Sequence, residues 1–372
     1  MFNKSVFIVF AIILVLLFVL IGCMRNPNPN EATLLPTASS SAISKKASEA
    51  PIKPENLDSK IDQYLKEIQY NGSILIVKNG KIVISKGYGM ANFENKIPNM
   101  PNTIFRIGSI TKQFTAVSIL QLQEQGLLNV EDTLNKYISD YPSGNKITLR
   151  HLLTHTSGIA EHTVPKNLLN LQKENAPKDI IDLFKKQPLD FKPGTRFNYS
   201  NSNYVLLGYV IEQMSGVTYA QYIADHIFKP LQMNNSSYDK NDFDTQKHAT
   251  GYVGSNLNYF PPAYKIDMSV PYAAGAISST VEDLYLWDQA LYTTKLLTKT
   301  SIDTMFTPFL SGYAFGWIVS KIEKGVVEHG GGIPGYTSLI RRNMNEMNTV
   351  ILLSNFENDP KLEEVAIKLA EW

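Results

Sequence analysis

A single cysteine, Cys23, is the whole thiol inventory of this 372-residue chain, so no intrachain disulfide can staple it. An excess of either charge is also missing: 35 Lys and Arg stand against 34 Asp and Glu, a formal net charge of +1. With no basic run either, the chain lacks the electrostatic footprint of a nucleic-acid binder, and no nucleic-acid partner is expected. No internal repeat is found. His151 and His155 have the spacing of helical zinc ligands, but no acidic residue stands between them as in HExxH, and Thr156-Ser157-Gly158 ends that helix at once. No metal site is expected there. What the chain does have is apolar material: at 44% hydrophobic residues it can bury a large core, as one large domain or two intimately packed ones.

The amino terminus carries an address. Lys4 precedes an uncharged apolar run from Val6 to Ile21, short for a membrane span but suited to the core of a signal peptide. The run closes with Leu20-Ile21-Gly22-Cys23, which resembles the lipobox of bacterial lipoproteins. That resemblance implies cleavage before Cys23 and lipidation of its thiol and new amino group; an uncleaved amino-terminal anchor is the alternative. Either reading puts the rest of the chain outside the cytoplasmic membrane, with a membrane contact through Cys23. Asn26 to Lys53 is rich in Pro, Asn, Ser, Thr and Ala, the composition of a flexible tether. The expected organisation is a signal peptide over residues 1–22, a tether over 23–53 and a folded domain over 54–372.

Within the folded part, Leu57, Ile61, Tyr64, Leu65 and Ile68 predict an amphipathic first helix. Ser73 to Lys78 and Lys81 to Lys86 are β-branched runs joined by Asn79-Gly80, a strong hairpin signal. From about Pro98 to Lys299 the pattern is mainly helical. Helices are predicted over Ile110–Gln125, Leu149–Leu153, Ala176–Lys186, Ser202–Met214, Thr218–Ile227 and Thr280–Thr293. Strand signals return over Phe315–Lys321, Gly325–His329, Tyr336–Arg342 and Thr349–Ser354, before a closing helix over Lys361–Trp372. Strands at both ends with helices between them predict an α+β fold, in which an antiparallel sheet built from both termini is flanked by helices and interrupted by a large helical insertion. A cleft between the two is the natural place for a site.

The stretch Phe105-Arg106-Ile107-Gly108-Ser109-Ile110-Thr111-Lys112 puts a serine and a lysine three residues apart at the mouth of a long apolar helix. Residues so spaced share a helical face, and a desolvated lysine with a lowered pKa can take the proton of a serine hydroxyl. The same spacing occurs at Ser143/Lys146 and Ser237/Lys240, but in a Pro-Ser-Gly-Asn turn and an Asn-rich polar stretch. Only Ser109 opens a buried helix. Two other clusters are too polar or too glycine-rich for ordinary core. In Asn198-Tyr199-Ser200-Asn201, a phenol beside a lysine would have a lowered pKa and could act as general base, while Asn201 could hold a substrate amide; equally, Ser200 and Asn201 could simply cap the following helix. In His329-Gly330-Gly331-Gly332, glycines allow close approach of a backbone or ligand, and successive N–H groups can stabilise an oxyanion; a glycine-rich turn with a surface histidine is the plainer alternative.

Together, Ser109-Ile110-Thr111-Lys112, Tyr199-Ser200-Asn201 and His329-Gly330-Gly331 resemble the ordered SxxK, YxN and K/HxG elements of the serine hydrolase family that unites class C β-lactamases, DD-peptidases, D-aminopeptidases and related esterases. Leu152 to Gly158 is similar to that family's LLxHTSG segment, and Ala274 to Leu284 to its GGxxST..DL segment; the likeness runs from about Leu57 to Phe356. The resemblance implies a β-lactamase/transpeptidase-like fold and acylation of a serine with no metal or organic cofactor. It implies Ser109 as nucleophile, Lys112 as its activating partner, Tyr199 as general base, and Asn201, His329 and Gly331 as substrate-binding residues. Backbone N–H groups of Ser109 and Gly332 would form the oxyanion hole, and His155 and Ser157 would be architectural. Whether Lys112 or Tyr199 deprotonates Ser109 stays open.

Departures from the family pattern bear on substrate. The KTG element offers a permanent charge and a hydroxyl, suited to a substrate carboxylate; here His329, titrating near neutrality, and Gly330 stand in those places. Arg341 or Arg342 could supply the charge, although strand alternation points them in opposite directions. The expectation is an extracytoplasmic, lipid-anchored serine hydrolase cleaving an amide or ester, first of all in peptidoglycan-derived or D-amino-acid peptides. A small-acyl esterase and a penicillin-acylated sensor that barely turns over are the alternatives, with β-lactams as acylating ligands.

Overall fold

The computed structural model describes residues 54–162, 172–241, 246–254, 261–359 and 361–372; Cys23, the signal-peptide segment and the tether lie outside the described residues. Asn79 and Gly80 both take positive φ, 51° and 75°, the geometry of a two-residue turn whose twist matches its strands. They join β1 (Gly72–Lys78) to β2 (Lys81–Tyr88), the hairpin that the Asn-Gly pair predicts. Near the other end of the chain, β9 (Val326–Ile333), β10 (Tyr336–Asn343) and β11 (Asn348–Ser354) follow one another through tight turns. Every pairing in the six-stranded sheet is antiparallel, in the order β2-β1-β11-β10-β9-β8, where β8 is Ile318–Val319. Gly72 lies opposite Ser354, so the two ends of the fold meet at the centre of this sheet.

Alternation along these strands feeds two cores. Ile74, Ile76, Leu339, Val350 and Leu352 point to one face, where α1 (Pro54–Glu67) and α11 (Leu362–Glu371) cover them with Ile61, Leu65, Leu362, Val365 and Leu369. Leu75, Val77, Ile340, Ile351 and Leu353 point to the other, against the helical region. The sheet is therefore a middle layer, buried on both sides.

At the heart of the helical region is α2 (Thr111–Glu124), in which every residue from Thr111 to Leu120 is buried. Its polar residues Thr111, Lys112, Gln113, Thr115 and Ser118 are buried along with its apolar ones, so it sits inside the fold rather than on its surface. Around it lie α3 (Leu149–Leu153), α4 (Pro177–Phe184), α5 (Asn201–Ser215), α6 (Tyr219–Ile223), α7 (Lys229–Leu231), α8 (Tyr272–Gly275), α9 (Val281–Ala290) and α10 (Lys299–Met305). Short strands β3 (Met90–Asn92) and β4 (Ile97–Pro98) pair with each other, and β5 (Phe105–Arg106), β6 (Ser237–Tyr238) and β7 (Ile277–Ser279) make a small second sheet.

Three expectations need correction. The helix predicted from Ile110 begins at Thr111, because Gly108–Ile110 wind into a tighter 3-10 turn in which Gly108 has φ 49°. The strand predicted over Phe315–Lys321 shrinks to Ile318–Val319: Gly316 turns at φ 75° directly against α2, where a Cβ would stand 2.9 Å from the Gln113 Cα. The helix predicted over Thr218–Ile227 stays α-helical only to Ile223 and widens into a π turn over Ala224–Phe228. Pro230 follows, and with no N–H to offer the 226 carbonyl it leaves that oxygen to Gln121 Nε2, 3.3 Å away.

Candidate active site

The 3-10 turn that carries Ser109 is held from two sides. Ile107 N–H donates to Ile277 O of β7 at 3.0 Å, and Ser338 Oγ of β10 donates to Ile107 O at 2.8 Å. Strand β9 comes so close that a Cβ on Gly331 would lie 2.1 Å from Ile107 O, and one on Gly108 would lie 2.9 Å from Gly332 N. Glycine at 108 and 331 is thus a condition of this contact. It puts the backbone of Gly332 beside that of Gly108-Ser109, the arrangement expected of an oxyanion hole. Gly331 itself is buried, and its lack of a side chain is what lets β9 approach this closely.

One helical turn on, Lys112 is fully buried. Its Nζ lies 2.9 Å from Ser109 Oγ, 2.8 Å from Asn201 Oδ1 and 2.8 Å from Ala274 O. The last two atoms can only accept, so the N–H groups of a neutral amine go to them and its lone pair is left facing the Ser109 hydroxyl. Burial brings the Lys112 pKa down from 10.5 to about 7, with the Glu161 carboxylate acting in the opposite direction. Near neutral pH the amine therefore spends much of its time unprotonated, poised to accept a proton.

Tyr199 comes from the extended segment before α5. Its ring rests against His155 at 4.2 Å between centroids and lies under the Lys112 Nζ at 4.9 Å. The expected lowering of its pKa by Lys112 is not what the structure gives. Burial raises it, outweighing a smaller lowering by the Ser109 hydroxyl, and Glu161 raises it further. A Lys112 that loses its own charge near pH 7 has little to offer a phenolate. Asn201 opens α5, and the alternative that Ser200 and Asn201 cap this helix does not hold: the Ser200 side chain makes no cap bond, and Asn201 Oδ1 is given to Lys112.

His329 is buried, with Nδ1–H donating to Gly330 O at 2.6 Å and Nε2 accepting from the Tyr313 hydroxyl at 3.0 Å. Burial first, then the Lys112 charge, pushes its pKa down to about 3. The expectation that it titrates near neutrality is corrected: it is a neutral imidazole with both nitrogens occupied. Neither arginine replaces the missing charge. Arg341 is gripped by Glu328 and Glu323, and Arg342 makes a fully buried pair with Asp288 at 2.9 Å.

The supporting frame matches expectation. His155 Nδ1 accepts from Ser200 N–H at 3.2 Å, and Ser157 Oγ donates to Asn203 Oδ1 at 2.6 Å, so the His-Thr-Ser-Gly segment fastens the start of α5. His151 Nδ1 instead accepts from Thr148 N–H and closes the cap of α3. Glu161 and Tyr313 were not singled out in the sequence. Glu161 follows the His-Thr-Ser-Gly-Ile-Ala stretch closely enough to have drawn notice as a carboxylate beside a polar motif, whereas Tyr313 lies in a turn with no local signature.

Comparison with known proteins agrees with this geometry. The Beta-lactamase family model matches residues 57–371. A Bacillus subtilis (strain 168) protein named as a penicillin-binding protein, PbpX, is 36% identical over 99% of this chain and 94% of its own. The octameric penicillin-binding protein homologue from Pyrococcus abyssi superposes with a TM-score of 0.73 at 31% identity, over 85% of this chain and 76% of that one. A D-amino acid amidase from Ochrobactrum anthropi SV3, complexed with D-phenylalanine, shares the fold with a TM-score of 0.74 at 21% identity, over 86% of this chain and 99% of that one. Sheet, helical insertion, Ser109-Lys112 pair and these likenesses converge: the chain belongs to the Beta-lactamase family and has its serine hydrolase fold.

Proposed function

We propose that this protein cleaves an amide or ester through an acyl-Ser109 intermediate, acting outside the cytoplasmic membrane as a tethered lipoprotein. The observation that carries the reading is the buried Lys112 amine, 2.9 Å from Ser109 Oγ, with its other two hydrogen bonds taken by pure acceptors. Neutral Lys112 takes the Ser109 proton as Oγ attacks the substrate carbonyl. The oxyanion that forms would be met by the N–H groups of Ser109 and Gly332. Tyr199, a phenol that burial keeps protonated, would hand its proton to the departing amine or alkoxide and recover one from Lys112. Water then attacks the acyl-enzyme, the same groups run in reverse, and Ser109 Oγ leaves with its proton restored. No metal or organic cofactor enters this sequence.

Relatives named as penicillin-binding proteins support D-amino-acid or peptidoglycan-derived peptides as the substrate class. The neutral state of His329 and the engagement of Arg341 and Arg342 with acidic partners favour, within that class, scissile bonds whose leaving group carries no carboxylate. Amidase or esterase action thus fits better than removal of a terminal D-alanine. The test is a pair of acyl-D-alanyl-D-alanine peptides, one ending in a free carboxylate and one in a carboxamide, with kcat/KM measured for both. A carboxamide preference of about tenfold or more is expected, the scale of one lost charge-assisted contact. A preference of that size for the carboxylate would overturn it.

A further inference from the structure

Helix α5 delivers Asn201 to Lys112, yet the residue before it does not cap it. Ser200 Oγ reaches instead toward Ala160 O at 3.5 Å. The bond that α5 lacks comes from elsewhere: Asn201 N–H donates to Glu161 Oε2 at 2.5 Å. The segment around Glu161 is fastened to the same helix end, since Ser202 Oγ donates to Ala160 O at 2.7 Å and His162 N–H donates to Ser202 Oγ at 2.9 Å. Glu161 Oε1 also lies 3.4 Å from His162 Nδ1, and the carboxylate is only 12% exposed. A carboxylate at a helix N-terminus satisfies an orphan N–H and complements the helix dipole. Here it does so one residue from the atom that holds Lys112, because Asn201 Oδ1 takes an N–H from Nζ. A continuous chain of hydrogen bonds therefore runs from Glu161 through Asn201 and Lys112 to Ser109.

Resting on the acyl-Ser109 reading above, we propose that Glu161 is a positioning residue of the acylation site, one that locks Asn201 and, through it, Lys112 against Ser109 while placing a negative charge behind the amine. Lys112 is faced by several other groups: Tyr199 and Tyr204 present their rings at 4.9 and 5.5 Å, and His155, His162 and His329 lie within electrostatic reach. The pKa values of all three imidazoles are lowered by burial, and that of His155 well below its usual value. Among these groups Glu161 is the one that raises the Lys112 pKa. Its charge thus holds the protonated amine in the folded site to higher pH than burial alone would allow, and moves the lower edge of the active range upward.

A neutral isostere separates the charge from the cap, because the side-chain oxygen of glutamine can still accept from Asn201 N–H. The experiment measures the rate of Ser109 acylation by a p-nitrophenyl ester from pH 5 to 9 in wild type, Glu161→Gln and Glu161→Ala, with melting temperatures alongside. In Glu161→Gln the acid limb is expected to move down by about half a pH unit or more, so that acylation at pH 5.5 is faster than in wild type. A purely structural loss cannot produce that gain. In Glu161→Ala the cap is lost too, and acylation at its optimum is expected to fall by about tenfold with a lower melting temperature. Superimposable pH profiles for wild type and Glu161→Gln would overturn the proposal. Ser109→Ala is run beside them: if it acylates as fast as wild type, the nucleophile reading fails instead, and the two failures are told apart.

Discussion

At the scale of single residues, the chemistry depends on Lys112 being buried in a place that still gives it partners. A lysine ammonium in this position is disfavoured, and the pKa near 7 is the result. Activity should follow the neutral amine, so acylation is expected to be low at pH 5, to rise through about pH 7 and to level off above it. A pH–rate profile of kcat/KM checks this; a flat profile between pH 5 and 8 would show that Lys112 is not the proton acceptor. Tyr199, held protonated, is expected to set no limb in the same range. The residue scale is also where the sequence was most misleading about electrostatics. Ser109, Lys112 and Tyr199 were legible as motif positions, but the sign of the Tyr199 shift and the silencing of His329 depend on burial and on Tyr313, which no local pattern announces.

At the scale of elements, the site exists because β9 passes within backbone contact of the 3-10 turn. The glycines of that strand are not equivalent. A Cβ at Gly331 meets Ile107 O at 2.1 Å and Ser338 Oγ at 2.4 Å, whereas one at Gly330 finds nothing nearer than 3.6 Å. Gly331→Ala is therefore expected to destabilise the protein by about 1–3 kcal/mol and to push Gly332 away from Ser109, while Gly330→Ala leaves both folding and acylation close to wild type. Melting temperatures and ester turnover of the two variants check the contrast, and equal behaviour would contradict it. The hairpin at Asn79-Gly80, β10, β11 and the major helices could be read from turn chemistry and periodicity. The small sheet of β5, β6 and β7 could not, since strands of two or three residues carry no period, and it is this sheet that clamps Ile107. The trans-acting cap by Glu161 was hidden for a similar reason: Glu161 and Asn201 are distant in sequence, and Ser200 offered a more obvious local cap.

At the scale of the whole molecule, the two ends of the fold close the sheet and the helical insertion fills the gap between them. The α+β architecture was legible because strand signals cluster at both ends of the folded part. The cross-links that fix the insertion on the sheet were not. Arg342 of β10 and Asp288 of α9 form one, fully buried, with Thr349 Oγ1 donating to the same carboxylate at 3.1 Å and the guanidinium lying over the Tyr292 ring at 4.3 Å. Asp288→Ala would leave a buried guanidinium without its partner, and denaturant unfolding should show a loss of about 3–5 kcal/mol. A loss below 1 kcal/mol would mean that this pair does not hold the two layers together. All of these contacts serve one claim, that the assembled cleft presents Ser109 as a nucleophile. The most direct test is intact-protein mass spectrometry of the fragment from Pro54 onward, after exposure to a fluorescent penicillin or a p-nitrophenyl ester, followed by peptide mapping of the adduct. A single acyl group is expected on Ser109 in the wild type and none in Ser109→Ala, which should melt at the wild-type temperature. An adduct on any other residue, or one that survives in Ser109→Ala, would contradict that claim.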